Sequence, residues 1–479
     1  MGGQGIDSKR GGGMSLAPVS RRGFVAAAGA VCAFPNLIPS SAFGQKAGRP
    51  APSGRVNVGL IGCGVQGITG NLKNFLHDDN TQVVSVCDPV SEAPLYGYRA
   101  ELQGGREPAR WQVNDFYAKK NNKPGYDGCK VFADFRAMLE DKDLDAVCVA
   151  TPDHWHALIG IMAARKGKHI FGQKPLANSV AEGRALCEAV KKHGVVFQTG
   201  AQGRSSDPNQ RRAAELIRNR RLGKLQRIQL GLPGGMPAWG KTAEQLSERP
   251  LTRPPAYVDF DLWLGPAPQS PYIPKLHLPM QWRFNFQYGG GMVTDHGAHF
   301  IDILQWSLGM DESGPVAIEN IRGEMGKPDS LYNVASRFSF EIVYEDGTRV
   351  HTSTDFGENP SRFLRYFGEN GRELYLCGGK LETKPFDLIR EKPRDGEVKL
   401  YVSSNHERNF IEGILTGRPV ISPCETGHRT ITIAHLANIG LRLGRKDLKW
   451  NPRAERFVND PEADAMLGVA YRAPWTLEG

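Results

Sequence analysis

Apolar positions fall into short solid runs in the first half of the chain and into alternating runs in the second, a contrast that predicts two different sheets. Residues 56–61 (VNVGLI) form one solid run. It breaks into GCGVQG, after which Ile68, Leu72, Phe75 and Leu76 recur at helical spacing. A second run, VVSVCD at 83–88, ends on an acidic residue at the distance expected of a parallel neighbour. Residues 91–129 are polar, hold several Gly and Pro without a clear period, and are expected to be an insertion. Alternation then resumes: KVF, a helix over DFRAMLED, the strand DAVCVATP, a helix from about 154, HIFGQKP, a helix over VAEGRALCEAVKKHG, and VVFQTG. Strands alternating with helices predict an α/β, doubly wound parallel sheet, with ligands held at the carboxyl ends of its strands.

The period changes after residue 225. KLQRIQLGL is expected to be a strand, and 233–279 is expected to be mostly loop, because it holds ten prolines with Trp239, Tyr257 and Trp263 among them. VASRFSFEIVYEDG, TRVHTST, FLRYFG and RELYLCGG then alternate with period two between turn signals, as an antiparallel sheet does. Helices are expected again at about 405–416 and 426–443. The second domain is therefore α+β, built on one large open, mostly antiparallel sheet.

Composition narrows the class. A chain of 479 residues, 40% apolar and 23% charged, belongs with globular proteins that bury a sizeable core. The net charge of +9 is scattered, and its densest knot, RNRRLGK at 218–224, has the look of an exposed helix end, so no nucleic-acid partner is expected. Seven cysteines beyond residue 44 stand singly with no CxxC, which predicts free thiols rather than a disulfide framework or a zinc site.

The first 44 residues stand apart. SRRGFVAAAGAVCAFPNLIPSSAFG couples Arg21 and Arg22 to a short apolar stretch that is too broken for stable membrane insertion. It resembles a twin-arginine signal, which implies carriage by the twin-arginine translocase, cleavage near Ala42 or Gly44, and a periplasmic or otherwise exported product. The expected organisation is 1–44 signal peptide, 45–54 linker, 55–176 dinucleotide-binding domain, and 177–479 substrate-binding and oligomerisation domain.

Two stretches promise chemistry. In the first, Gly62, Gly64 and Gly67 match G-x-G-x-x-G between a strand and a helix, so the turn with Val65 and Gln66 is expected to hold a pyrophosphate. Asp88, 21 positions after Gly67, is placed to accept the ribose hydroxyls of NAD and to repel the 2′-phosphate of NADP, which leaves NAD favoured and NADP possible. In the second, GGGMVTDHGAHFIDILQW at 289–306, helical spacing puts Asp295 and His299 on one face as an acid/base pair, with Asp302 an alternative orienting group for the imidazole. A metal cage drawing on His154 and His156 is the weaker reading, and no metal is expected. Lys174, in GQKPLA at a strand end, is a third candidate, because a lysine there stands over the cofactor rather than in bulk water and a cationic or imidazole neighbour would ease its proton exchange.

Taken in order, GLIGCGVQG, VATPDHWHA, GQKPLA and GGGMVTDHGAHFID resemble the Gfo/Idh/MocA oxidoreductases over essentially everything after residue 54. The resemblance implies a Rossmann domain followed by an open-sheet domain, NAD or NADP as cofactor, a sugar or polyol as substrate, and a homodimer or homotetramer. It assigns catalysis to Lys174, Asp295 and His299, places Thr151 and Pro152 along the cofactor, and puts His156 near the same edge. Gln173 stands where the family usually has Glu, so it contacts the cofactor region without bringing charge. The leading expectation is an exported NAD(P)-dependent sugar or polyol oxidoreductase with tightly bound cofactor. The alternatives are an NAD-dependent glycosidase or lyase working through a transient keto-sugar, and a non-catalytic dinucleotide-binding protein. Trp239, Tyr257, Trp263, Trp282 and Tyr288 are candidate faces for a sugar ring.

Overall fold

A buried parallel strand needs apolar side chains on both faces, and Val56–Ile61 supplies them: only Asn57 is partly exposed in β1. The computed structural model describes Gly2 and residues 55–94, 96, 103–235, 253–278, 281–327, 330–357, 361–391 and 394–478. Arg21, Arg22, the cleavage region at Ala42 to Gly44, and Trp239 lie outside the described residues. Residues Ser41–Gly479 fall in one compact unit.

β1 pairs in parallel with β2 (Thr81–Cys87) on one side and β4 (Ala146–Val149) on the other. With β3 (Lys130–Phe132), β5 (His169–Gln173) and β6 (Phe197–Gly200) the sheet runs β3-β2-β1-β4-β5-β6, every pair parallel. The order reverses between β1 and β4, and a crevice opens there at the strands' carboxyl ends. The boundary expected at residue 176 cuts this sheet, because β6 lies beyond it. The strand-helix alternation persists through VVFQTG, and Phe197 packs against Gly172 of β5. Nor is 91–129 wholly irregular: the helix Arg106–Lys120 buries Ala109, Val113 and Tyr117 at four-residue spacing, and the Tyr117 hydroxyl accepts the Val83 N–H at 2.9 Å. Trp111, apolar yet exposed, interrupts the buried spacing of Ala109, Val113 and Tyr117 and blurs the period.

The second sheet has nine strands in the order β13-β12-β11-β7-β10-β9-β8-β14-β15. They are β7 (Arg227–Gly231), β8 (Ala317–Met325), β9 (Ala335–Val343), β10 (Arg349–Ser353), β11 (Phe363–Phe367), β12 (Glu373–Cys377), β13 (Lys380–Lys384), β14 (Leu448–Asn451) and β15 (Arg456–Phe457). Only β7 and β10 pair in parallel, so the sheet is mostly antiparallel as expected. One apolar core runs from the helix Asp153–Arg165 through Gly297–Leu308 and Cys424–Leu443 to this sheet. A second core fills the other face of the parallel sheet, and Phe410 and Ile411 from the helix His406–Thr416 complete it. The chain's last third thus returns to brace the dinucleotide-binding half. No helix among the described residues is long and apolar enough to cross a membrane.

Candidate active site

The glycine turn is shaped by close approach. Gly62 has φ +96°, and a Cβ there would sit 2.5 Å from the Ala150 backbone; one on Gly67 would sit 2.0 Å from the Gly62 carbonyl oxygen. Side chains are therefore excluded where β1 turns into the helix that opens at Gln66–Leu72, and the helix amino end faces the crevice with the partial positive charge that suits a pyrophosphate. Asp88, just past β2, is buried. It accepts the N–H of Cys63 at 2.6 Å, the N–H of Val90 at 2.8 Å, and the hydroxyl of Tyr96 at 3.1 Å. Burial pushes its carboxyl up to about 6, against these three donors, so it is ionised at neutral pH and fixed in place.

Gly62, Gly64, Val65, Gln66, Asp88, Thr151, Pro152, Gln173, Lys174, Asp295 and His299 all line one cavity of about 500 Å³. Gly67 packs behind it. The Thr151 hydroxyl is buried without a hydrogen-bond partner, so a polar acceptor or donor is wanted at the end of β4. The residues present fit a dinucleotide: the cradle at β1, the ribose acceptor at β2, and polar groups at β4 and β5 in a line. His156 does not line the cavity. Its ring is buried between two carbonyls, 2.6 Å from Pro175 and 2.8 Å from Thr151, and so ties the β4 end to the turn carrying Lys174. Gln173 donates to Asn71 at 3.0 Å, and Asn71 donates to Glu407 at 2.9 Å. The charge missing at 173 therefore arrives two residues away in this chain of hydrogen bonds, from the helix His406–Thr416.

The proton-handling groups meet differently from the expected pairing. Asp295 accepts from the Lys174 ammonium through its carboxylate, and its backbone carbonyl accepts from the same ammonium at 3.2 Å; Arg283 Nε lies 3.5 Å from its other oxygen. No hydrogen bond joins it to His299. The neighbour in contact with Lys174 is thus a carboxylate, not another cation. Burial opposes ionisation of Asp295, yet Lys174 and Arg283 hold its carboxyl well below the usual carboxylate range. Asp302 cannot orient His299, because both its oxygens are 2.8 Å from the buried Arg204 guanidinium. Burial, with Lys174 nearby, pulls the His299 imidazole down to about 3, which leaves it neutral at working pH.

Several cavity residues escaped the sequence reading, and four of them bear on the chemistry. Arg283 stacks on Trp282 at 4.2 Å, Arg362 stands at the rim, and Tyr96 holds Asp88. The fourth, Asp153, opens a helix at the carboxyl end of β4; burial pushes its carboxyl up to about 8, with Arg283 opposing. Its place in TPDHWHA, directly after a strand end, was the available signal. Of the aromatic candidates, Trp263 and Trp282 line the cavity, whereas Tyr288 is fully buried and bonded to Ser270 and His277, and Tyr257 packs against the core. His154 is spent on the Trp263 carbonyl at 3.1 Å, and among the described residues no cluster of His, Cys, Asp and Glu is arranged to hold a metal ion.

A parallel sheet with this cavity at its switch point defines a dinucleotide-binding fold. Family models agree with it: the oxidoreductase family, NAD-binding Rossmann fold, matches residues 56–201, and the oxidoreductase family, C-terminal alpha/beta domain, matches 216–477. The chain belongs to the Gfo/Idh/MocA oxidoreductase family. Among curated proteins it is 24% identical over 255 residues to levoglucosan dehydrogenase of Pseudarthrobacter phenanthrenivorans, covering 53% of this chain and 51% of that protein. It is 41% identical over 174 residues to scyllo-inositol 2-dehydrogenase (NAD(+)) of Bacillus subtilis, 36% of this chain and 38% of that one. It is also 29% identical over 128 residues to a glycosyl hydrolase family 109 protein of Shewanella pealeana, 26% of this chain and 24% of that one. The match thus spans about half the length of the first of these relatives and less of the others. A solved structure of the WlbA dehydrogenase from Bordetella pertussis, in complex with NADH and UDP-GlcNAcA, superposes with TM-score 0.55 at 16% identity over 83% of this chain and 99% of that one, which shows the shared fold.

Proposed function

We propose that the protein is an exported NAD(P)-linked oxidoreductase that moves hydride between a hydroxyl-bearing carbon of a sugar or polyol and nicotinamide, with the cofactor held tightly through export. The observation that carries this reading is one cavity lined by the glycine turn, Asp88, Lys174, Asp295 and His299 together. When bound, the dinucleotide supplies the hydride acceptor. The neutral His299 takes the hydroxyl proton, and the Lys174 ammonium, aligned by Asp295, hydrogen-bonds the oxygen as it becomes a carbonyl. Asp295 spends its charge on orienting Lys174 rather than on His299. Trp263 and Trp282 give the sugar ring apolar faces, and Arg283 offers donors to its hydroxyls. The twin arginine of residues 21–22 supports export, and a homodimer or homotetramer is the proposed assembly. No nucleic-acid partner is proposed.

The test is a sugar and polyol panel with carbon-bound deuterium, followed at the nicotinamide absorbance and by mass spectrometry of the recovered cofactor. Deuterium on the nicotinamide ring with stoichiometric ketone supports the reading; a full panel without transfer, in protein shown to bind NAD, sinks it. Similarity to a glycosyl hydrolase favours one second reading, in which the oxidation is transient. Released aglycone with no net change in cofactor absorbance would select it.

A further inference from the structure

Cys187 and Cys424 lie 237 positions apart, yet their sulfurs are 3.1 Å from each other and both side chains are buried. Cys187 belongs to the helix Val180–His193, and Cys424 opens the helix Cys424–Leu443. The contact is part of a fixed crossing of these two helices. One turn away, Gly183 faces His428, so closely that a Cβ on Gly183 would lie 2.5 Å from the imidazole Nδ1. Beside the sulfurs, Arg184 donates to Glu425 at 2.8 and 2.9 Å and to Glu455 at 3.0 and 2.7 Å. Cys424 is held from its other side, where Ser422 accepts the Thr199 N–H of β6 at 2.8 Å. Three independent contacts thus hold the thiols together, and closing an ordinary S–S bond of about 2.05 Å asks for roughly 1 Å of movement.

We infer that Cys187 and Cys424 are a disulfide-forming pair that staples the two helices supporting the active site when a small-molecule or protein disulfide acts as oxidant. In the reaction one protein thiolate displaces half of the oxidant, the second displaces the other half, and the oxidant leaves as two thiols that carry the two protons. The crossing is well placed for such a staple. The helix Val180–His193 follows the turn of Lys174, while His435 and Asn438 of the other helix reach Ala177 at 3.1 Å and Gly290 at 2.9 Å, next to the helix that ends in Asp295. The bond therefore ties the Lys174 side of the cavity to its Asp295 side. Burial pushes the Cys424 thiol well above its ordinary value, so the reaction is slow and quickens with pH.

The test incubates the reduced full-length protein with oxidised glutathione at mildly alkaline pH, then unfolds it in alkylating agent and maps its peptides. The expected product is a Cys187–Cys424 cross-link with Cys32, Cys63, Cys87, Cys129, Cys148 and Cys377 alkylated, and a melting temperature several degrees higher that falls back on reduction. Cys187→Ser should form no cross-link and show no upward shift, while keeping the turnover of the reduced parent; Cys424→Ser serves if the first variant folds poorly. Both cysteines alkylated after prolonged oxidation, or a cross-link to any other cysteine, overturns the inference.

Discussion

Lys174→Met keeps the length and apolar stem of the side chain and removes the ammonium. In the structure the ammonium is the nearest cation to Asp295, with side-chain exposures of 18% and 14% for the pair. A contact ion pair is worth about 4 kcal/mol at an effective dielectric of about 20, and truncating one partner of a buried pair costs about 3–5 kcal/mol. Arg283, at 3.5 Å, stays opposite the stranded carboxylate and the pair keeps some contact with solvent, so the expected cost is about 2 kcal/mol. In a chain this long that lowers Tm by only about 2–4 °C. A hydrogen-bond donor aimed at the reacting oxygen contributes about 10²–10³ in rate. The two readouts should therefore separate, with a small loss of stability, a large loss of kcat and NAD affinity retained. The pH dependence carries a sign as well. A carboxyl depressed in the folded state supplies stability above its unfolded value of 3.8 and loses it as pH falls through the folded one. The gap in Tm between parent and variant should hold at neutral pH and narrow in acid. Calorimetric NAD titration, single-turnover hydride transfer and melting curves from pH 3 upward (roughly the range in which Asp side chains protonate) read all of this. An unchanged transfer rate, or a rate lost only together with nucleotide binding, would refute the assigned role.

Asp153→Asn replaces a carboxyl raised to about 8, which stabilises the fold fully below its unfolded value and loses that stability as pH rises through about 8. The variant should match the parent in Tm only at about pH 3, already exceed it at about pH 6, and exceed it further up to about pH 8, above which the gap stops growing; parallel melts across that range decide it, and equal Tm values throughout would contradict it. Gln173→Glu deprives Asn71 of a donor and sets a second carboxylate near Glu407, so a loss of about 1–3 kcal/mol at neutral pH is expected, shrinking as the pair takes up a proton in acid. Denaturant titration at neutral and acidic pH checks it. Gly67→Ala drives a methyl into the Gly62 carbonyl, costs about 3 kcal/mol, and should weaken NAD binding more than Asp88→Asn does; calorimetry on both variants ranks them.

The glycine turn, the ends of β2, β4 and β5, and the change of period near residue 225 were legible because each is written in consecutive residues. What was not legible arises between distant segments. Helical spacing predicts Asp295 and His299 on one face, but one helix ends at Asp295 and another begins at Gly297, and Lys174, 121 positions earlier, takes the carboxylate. Asp302 was likewise taken by Arg204, 98 positions away. The family departure at Gln173 reads as a missing charge from its neighbours alone, because the Glu407 carboxylate reaches Asn71 from 336 positions away. Cysteines standing singly in sequence, Cys187 and Cys424, meet for the same reason.

A crystal structure of the protein soaked with NAD+ tests the central claim most directly. The account requires the pyrophosphate on the turn from Gly62 to Gly67, the adenosine ribose on Asp88, and the nicotinamide ring against Lys174 and His299. Nucleotide bound with its nicotinamide away from both side chains, or no density in the cavity at saturating NAD+, would contradict it.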